Sequence, residues 1–423
     1  MKLAGSIRVP GDKSITHRVI LLAAMARGRS RIRGALTSLD ARSTARVVRQ
    51  LGSSVSPLRP EGVTTIRGKG RLEPPGAVLH CGNSGTTTRL TLGLLSAHHF
   101  SATLTGDGSL RRRPMRRVTE PLSAMGARFT EHNGDGLPLT VTGADLQPLR
   151  YEMPVSSAQI KSALLLAGLT AGVEVALLEP GGKSRDHTER ILRAFGFQVD
   201  DSDGWVSFKP TGRVQPFEVE VPGDPSSAAF LVGAGILAES GELRIAGVGT
   251  NPTRTGFMRV LQRMGATVGI ENRSDRFGEP VGDLIVRPDR LRSTEVGASE
   301  IPGLIDEIPL LAVLASRATG TTTFRQVGEL RVKESDRLAL IAENLRAVGA
   351  GAVVQGDDLL VEGREAAPRG SVRTAGDHRL AMAFAVLGTL PGARVSVDDM
   401  ACAAVSFPRF PETLQAIGTG GAT

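Results

Sequence analysis

Six apolar helical patterns recur along this chain at nearly constant steps, and that period limits the possible fold more than any single motif does. They begin near Lys13, Ser84, Ser156, Pro225, Leu304 and Asp377, so the steps are 71, 72, 69, 79 and 73 residues. A second helical pattern follows each one and closes with glycine: Arg42–Gly52, Arg116–Gly126, Asp186–Gly196, Gly256–Gly265, Glu334–Gly349 and Glu412–Gly418. Between them lie short alternating or β-branched runs, among them Val63–Arg67, Ala102–Thr105, Leu137–Val141, Glu174–Leu178, Glu218–Val221, Leu243–Ala246, Thr321–Arg325 and Val395–Val397, which read as strands. A strand–helix–strand–helix unit of this length exceeds the roughly 20–50 residues of thin solenoid repeats. Three units around a shared helical core make a domain, so six make two similar domains in the α/β class. The halfway crossing falls at Val221-Pro222-Gly223-Asp224-Pro225, and a glycine-rich crossing suggests a cleft that closes on ligand.

Charge narrows the partners. With 51 Lys and Arg against 43 Asp and Glu the chain carries +8, and its pI of about 10.1 favours anions. One Trp, one Tyr and no dense basic run make a poor stacking surface for nucleic acid, so small phosphorylated molecules fit better. Only seven of the basic residues are lysines, so a lysine in a glycine-bounded turn carries more weight than any one arginine. Two cysteines, Cys81 and Cys402, form neither a disulfide framework nor a CxxC pair. Cys81 reads as a buried structural thiol, and the scattered histidines lack the acidic or cysteine company of a metal site. No apolar run approaches the roughly 18 residues of a membrane span and no signal-peptide core opens the chain, so a cytoplasmic protein is expected.

Polar groups gather where the helical patterns start. In Pro10-Gly11-Asp12-Lys13-Ser14-Ile15-Thr16-His17-Arg18 a turn leads into a helix that Asp12 or Ser14 can cap, with Lys13 and Arg18 near its N-terminus. Unpaired N–H groups and the helix dipole favour an anion there, although an ordinary capped helix also accounts for these nine residues. Cys81-Gly82-Asn83-Ser84-Gly85-Thr86 combines backbone-permissive glycines with donor hydroxyls, and Arg113 before Pro114 is spaced to clamp a carboxylate or phosphate. Ser156-Ser157-Ala158-Gln159 reads as a capping box. Gly181-Gly182-Lys183-Ser184 resembles the tail of a phosphate loop, but Leu177 stands where that pattern needs glycine. Asp306 and Glu307 precede an apolar pattern, and Arg331–Arg337 crowds five charges into seven residues, with helical spacing placing Lys333 and Arg337 on one face. Gly376-Asp377-His378-Arg379 repeats the opening arrangement. Basic groups with two candidate carboxylates, Asp306 and Glu334, suit binding two small anions and moving protons between them.

The motifs Asp12-Lys13-Ser14 with Arg18, Gly82-Asn83-Ser84-Gly85-Thr86, Arg113-Pro114-Met115, Ser156-Ser157-Ala158-Gln159, Ser184-Arg185-Asp186-His187-Thr188-Glu189, Arg331–Arg337 and Asp377-His378-Arg379 occur in order over nearly the whole chain. In this the chain resembles the 5-enolpyruvylshikimate-3-phosphate synthases, closest to the bacterial class with Ser-Ala-Gln and Ser-Arg-Asp-His-Thr-Glu. The resemblance implies an inverse α/β barrel-like fold of two lobes, 12–223 and 1–11 with 224–423, each with three βαβαββ units and the active site in the cleft between them. It implies transfer of the enolpyruvyl group of phosphoenolpyruvate to the 5-hydroxyl of 3-phosphoshikimate, in the shikimate pathway to chorismate and aromatic amino acids.

By the same resemblance Lys13, Ser14, Arg18, Ser156, Ser157, Ala158, Gln159, Arg185, Asp306 and Lys333 would meet 3-phosphoshikimate. Lys13, Gly85, Arg113, Gln159, Glu334, Arg337 and Arg379 would meet phosphoenolpyruvate, and the missing Cβ of Gly85 would leave room for it and for the family's inhibitor glyphosate. Asp306 would accept the 5-hydroxyl proton, Glu334 would protonate the methylene carbon, and Lys13 and Lys333 would neutralise the leaving phosphate. No cofactor, metal, nucleic acid or membrane is implied, and a monomer is expected. Val405 stands where many relatives carry a lysine before a Phe-Pro step, so Arg379 and Lys13 would take that load. The UDP-N-acetylglucosamine enolpyruvyl transferases share the fold but use a cysteine on the loop that here runs Asp107–Arg113, which has none. RNA 3′-phosphate cyclases, built from related repeats, do not suit the Lys13 and Lys333 motifs. A basic anion- or RNA-binding protein without catalysis is the reading from another class.

Overall fold

The computed structural model describes residues 1–419. The described residues form two compact units, one of Gly11–Val221 with Arg276–Glu279, the other of Met1–Pro10, Pro222–Asp275 and residues 280–419. They are called the first and second unit below.

In the first unit the helices are α1 (Lys13–Met25), α2 (Leu39–Gln50), α3 (Gly85–Leu95), α4 (Arg116–Ala124), α5 (Ala158–Ala171) and α6 (His187–Ala194). In the second they are α7 (Pro225–Ile236), α8 (Gly256–Arg263), α9 (Ile308–Ala315), α10 (Arg337–Ala347), α11 (His378–Leu387) and α12 (Phe410–Thr419). Each of the twelve overlaps one of the helical patterns expected from the sequence. The first helix of every pair is apolar around most of its circumference and is buried, as such helices must be. Helices α1, α3 and α5 contribute much of one hydrophobic core, and α7, α9 and α11 much of the other. Gly93 lets α3 approach α5 closely: a Cβ there would lie 2.1 Å from the Ala163 carbonyl oxygen on α5.

The sheets repeat one topology. Leu79–His80 runs parallel to Ser101–Thr105, which pairs antiparallel with Leu139–Thr142 and then Arg128–Glu131. Leu149–Glu152, Val175–Leu178, Trp205–Phe208 and Val199–Ser202 follow the same order, as do Glu295–Val296, Thr321–Phe324, Asp358–Glu362 and Gly351–Gln355. The opening repeat of each unit takes its first strand from elsewhere in the chain. Glu218–Glu220 pairs with Arg27–Arg33, and Ser6–Ile7 pairs with Leu243–Gly249. The last repeat keeps only the parallel pair Arg369–Val372 and Arg394–Val397 before α12. Thus the βαβαββ unit is complete five times among the described residues.

Arg27–Arg33 escaped the sequence reading because its exposed positions are all arginines, while only Ser30 and Ile32 are buried. Cys81 is fully buried, and burial pushes its thiol up to about 11, which leaves it unreactive near neutral pH. No helix among the described residues is long and apolar enough to cross a membrane.

Candidate active site

In the first unit the starts of α1, α3 and α5 carry the anion-seeking groups. Asp12 caps α1 by accepting from the Ile15 N–H at 2.9 Å, so Lys13 is the first helical residue. Its ammonium lies 3.2 Å from Asp40 in the first turn of α2, a partner the sequence reading missed although Ser38 marks that helix start. Ser84 caps α3 and leaves Gly85 as its first residue. Beside Gly85 stand two guanidiniums, since a Cβ built there would be 2.8 Å from Arg89 Nη1 and 3.5 Å from Arg113 Nη1. Arg113 is oriented by Asn83, donating to its Oδ1 at 2.7 Å and its carbonyl at 3.3 Å. Arg89, also overlooked in the sequence, donates to Gln159 Oε1 at 2.6 Å and to the Pro114 carbonyl at 3.1 Å.

The capping box expected at Ser156–Gln159 is not formed. Ser157 is the N-cap and its side chain makes no capping bond. Ser156 instead donates to the carbonyls of Pro180 and Gly182, and the Gln159 amide donates to Thr86 Oγ1 at 2.9 Å. Tertiary partners outcompeted the local cap because they tie α5 to α3 and to the loop before α6. Ala158 opens α5 behind them, and Arg185 is half-buried on that loop.

Arg18 is 2 % exposed and directed inward, donating to Thr188 Oγ1 at 2.8 Å, Ser162 Oγ at 2.6 Å and the Ser14 carbonyl at 2.8 Å. Burial pulls its pKa down to about 10 against the pull of Glu189 and Asp12, so it remains charged at neutral pH. Ser14 is half-buried one turn earlier on α1.

His17 heads a buried chain of hydrogen bonds: Nδ1 to Thr44 Oγ1 at 2.6 Å, Thr44 to Thr87 at 2.6 Å, and Thr87 to Ser84 Oγ at 2.7 Å. Burial, then Lys13 and Arg18, hold the imidazole well below its ordinary value. The folded protein thus keeps it neutral where the unfolded chain takes up a proton, below about pH 6.5. Stability should fall as pH drops through that region, by up to about 1.4 kcal/mol per pH unit for this proton, levelling off below the folded value. His98 is lowered by burial and acts in the same sense. Urea unfolding of His17→Asn should show a flatter stability curve below about pH 6.5 than the unaltered protein. An equal slope would show that His17 is not responsible.

The second unit gathers carboxylates around two arginines. Arg337, the first residue of α10, is completely buried and donates through Nε to Asp377 Oδ2 at 2.7 Å. Its Nη2 donates to Glu334, and its Nη1 lies 3.4 Å from Asp306 Oδ1. Burial opposes the charge, yet Asp377, Glu334 and Asp306 outweigh it and hold the Arg337 pKa above its ordinary value. Arg379 reaches Asp306 from the start of α11, with Nη2 3.4 Å from Oδ2 and Nη1 donating to the backbone carbonyl at 3.0 Å. Asp377 caps α11, as Asp12 caps α1. Behind the cluster Glu307 accepts from Ser226 Oγ at 2.5 Å, and Arg254 donates to Ser226 and Asp224 at the start of α7. The signal for these was an acid or hydroxyl at each helix start.

Lys333 does not share a helical face with Arg337. Asp336 caps α10 in a non-helical conformation, φ −72° and ψ 80°, so the chain before it cannot continue the helix. Lys333 follows the 3-10 turn Gly328–Val332 and turns back towards Glu329 at 3.5 Å. Its ammonium is pushed below its ordinary value by burial, with Glu329 and Asp306 opposing and Arg337 adding to the shift. Val405 ends the 3-10 turn Ala401–Val405, half-buried.

The family model described as EPSP synthase (3-phosphoshikimate 1-carboxyvinyltransferase) matches residues 1–414. The chain is 48% identical over 430 residues to the 3-phosphoshikimate 1-carboxyvinyltransferase of Paramagnetospirillum magneticum, covering 98% of this chain and 95% of that one. An EPSP synthase structure from Acinetobacter baumannii superimposes with a TM-score of 0.86 at 37% identity, over 98% of this chain and 96% of that one. The enolpyruvyl transferase NikO from Streptomyces tendae shares the fold, with a TM-score of 0.78 at 18% identity over 99% and 95% of the two chains.

Proposed function

This chain belongs to the EPSP synthase family, and from that premise we infer that it transfers the enolpyruvyl group of phosphoenolpyruvate to the 5-hydroxyl of 3-phosphoshikimate. The products are 5-enolpyruvylshikimate 3-phosphate and phosphate, in the shikimate pathway. The observation that carries the chemistry is that Asp306 and Glu334 share one buried guanidinium, Arg337, so that two proton-transfer groups and a fixed positive charge occupy one place.

In this proposal the lobes divide the work. Residues 12–223 take the anions: Ser14, Arg18, Ser156, Ser157, Ala158, Gln159 and Arg185 hold 3-phosphoshikimate, while Lys13, Gly85, Arg113 and Gln159 hold phosphoenolpyruvate. Residues 1–11 and 224–423 supply the proton chemistry, with Arg337 and Arg379 against the phosphoenolpyruvate anion. Glu334 gives its proton to the methylene carbon, and the cationic carbon that develops is attacked by the 5-hydroxyl oxygen as Asp306 takes its proton. The tetrahedral intermediate then loses phosphate, Glu334 recovers a proton from the methyl group, and the proton on Asp306 leaves with the phosphate. Lys13 and Lys333 balance the charge on that leaving group. The protein acts as a monomer in the cytoplasm in this reading.

The test is phosphate release with both substrates, with UDP-N-acetylglucosamine as the alternative acceptor. Release with 3-phosphoshikimate alone is expected, and none at any pH between about 6 and 9 would overturn the proposal.

Gly85 gives a graded check. Its backbone is not in the left-handed region, so alanine imposes no strain there, but the added Cβ must push Arg89 Nη1 from 2.8 Å. That shift disturbs the Arg89–Gln159 bond. Gly85→Ala should therefore raise the KM for phosphoenolpyruvate while stability changes by less than about 1 kcal/mol. An unaltered KM and an unaltered glyphosate inhibition constant would remove Gly85 from that contact.

A further inference from the structure

A charge sealed from solvent outside the proposed chemistry is Lys161, near the start of α5 and 0 % exposed. A lysine inside an apolar helix needs partners, and its ammonium lies 2.6 Å from Glu179 and 2.8 Å from Glu189. Burial opposes its charge, but Glu189 and Glu179 outweigh burial and raise its pKa. Arg18 offsets the second carboxylate: it is attracted to Glu189 and hydrogen-bonds to Ser162 and Thr188, the neighbours of Lys161 and Glu189 in the chain. Two cations and two carboxylates are thus buried in balance.

Folding alone does not call for this group, because apolar residues of similar volume stabilise such a position equally well or better. What the charges hold is the loop that follows Glu179. Glu179 Oε2 accepts from the Ser184 N–H at 3.2 Å, and Lys161 Nζ lies 3.5 Å from the Ser184 carbonyl. Ser156 at the start of α5 binds the Pro180 and Gly182 carbonyls of the same loop. The loop contains Gly181 and Gly182, both at positive φ, so without a clasp it would have many conformations to lose on binding.

Resting on the family reaction above, we propose that Lys161 is a positioning residue: paired with Glu179, it locks the Glu179–Ser184 loop to α5 so that Arg185 stands ready beside Ser156–Gln159 for the anionic acceptor. Ordering the loop in advance tightens binding of that substrate without altering the chemical step.

The double variant Lys161→Met/Glu179→Gln removes one charge of each sign and leaves Glu189 with Arg18, which avoids the unpaired carboxylate of Lys161→Met alone. Glu179→Gln by itself, with Lys161 still paired to Glu189, is the milder second variant. For the double variant the KM for 3-phosphoshikimate should rise about tenfold or more, with kcat and the KM for phosphoenolpyruvate within about twofold. Hydrogen exchange at the Ser184 amide, which needs no substrate, should quicken about tenfold. A folded double variant with unaltered acceptor KM, or one whose kcat and both KM values worsen together, would overturn the positioning role. Absence of phosphate release by the unaltered protein would remove the family reaction and this inference with it, whereas release with unaltered acceptor KM removes the inference alone.

Discussion

Asp306→Asn is expected to lower kcat for phosphate release by about 10²–10⁴-fold, the range for loss of a positioned general base. The side chain is 18 % exposed and caps no helix, so its loss disturbs little of the fold. Its two oxygens lie 3.4 Å from Arg337 and 3.4 Å from Arg379, and both arginines keep other partners when that charge is removed. Arg337 retains Asp377 and Glu334, and Arg379 retains Glu307 at 3.8 Å and the Asp306 backbone carbonyl. Asparagine fills the same volume but cannot accept the hydroxyl proton. The unfolding midpoint should therefore stay within a few degrees while turnover collapses. Near-unaltered kcat at saturating concentrations of both substrates would assign the base to another group.

Arg337→Met should act on stability, with a loss of about 3–5 kcal/mol, because it strands a buried carboxylate. Asp377 is 0 % exposed and would keep only the Ser335 hydroxyl at 3.0 Å and the Arg379 N–H at 3.0 Å. Arg337→Lys should recover only part of this, since a single ammonium cannot reproduce the paired Nε and Nη2 contacts at 2.7 and 3.3 Å. Denaturant unfolding of both variants measures the difference. A loss under about 1 kcal/mol for Arg337→Met would mean that Asp377 does not depend on this pair.

Several parts of the site could be read from local patterns because local energetics decide them. Asp12 and Asp377 cap helices through bonds that span only two or three residues, and Lys13 and Arg379 follow from those caps. Other parts could not be read because their partners are distant in the chain. Arg89 was one arginine among many until the fold set it between Gly85, Gln159 and Pro114. Ser156–Gln159 has the spacing of a capping box, yet its polar groups bond to residues 24 to 73 positions away. Lys333 has helical spacing from Arg337, but the Asp336 cap excludes helix before it.

The same division holds for the architecture. The chain by itself determined the number of its helices and the class of its fold: six pairs of helices with strands between them, and an apolar first helix in each pair that had to be buried. Those properties follow from side-chain periodicity, which acts over a few residues. Only the tertiary structure decided that Glu218–Glu220 and Ser6–Ile7 open distant repeats, and that Lys161 closes on Glu179 and Glu189. The physical reason is that strand pairing and buried ion pairing gain their free energy from groups far apart in sequence, which local pattern does not specify.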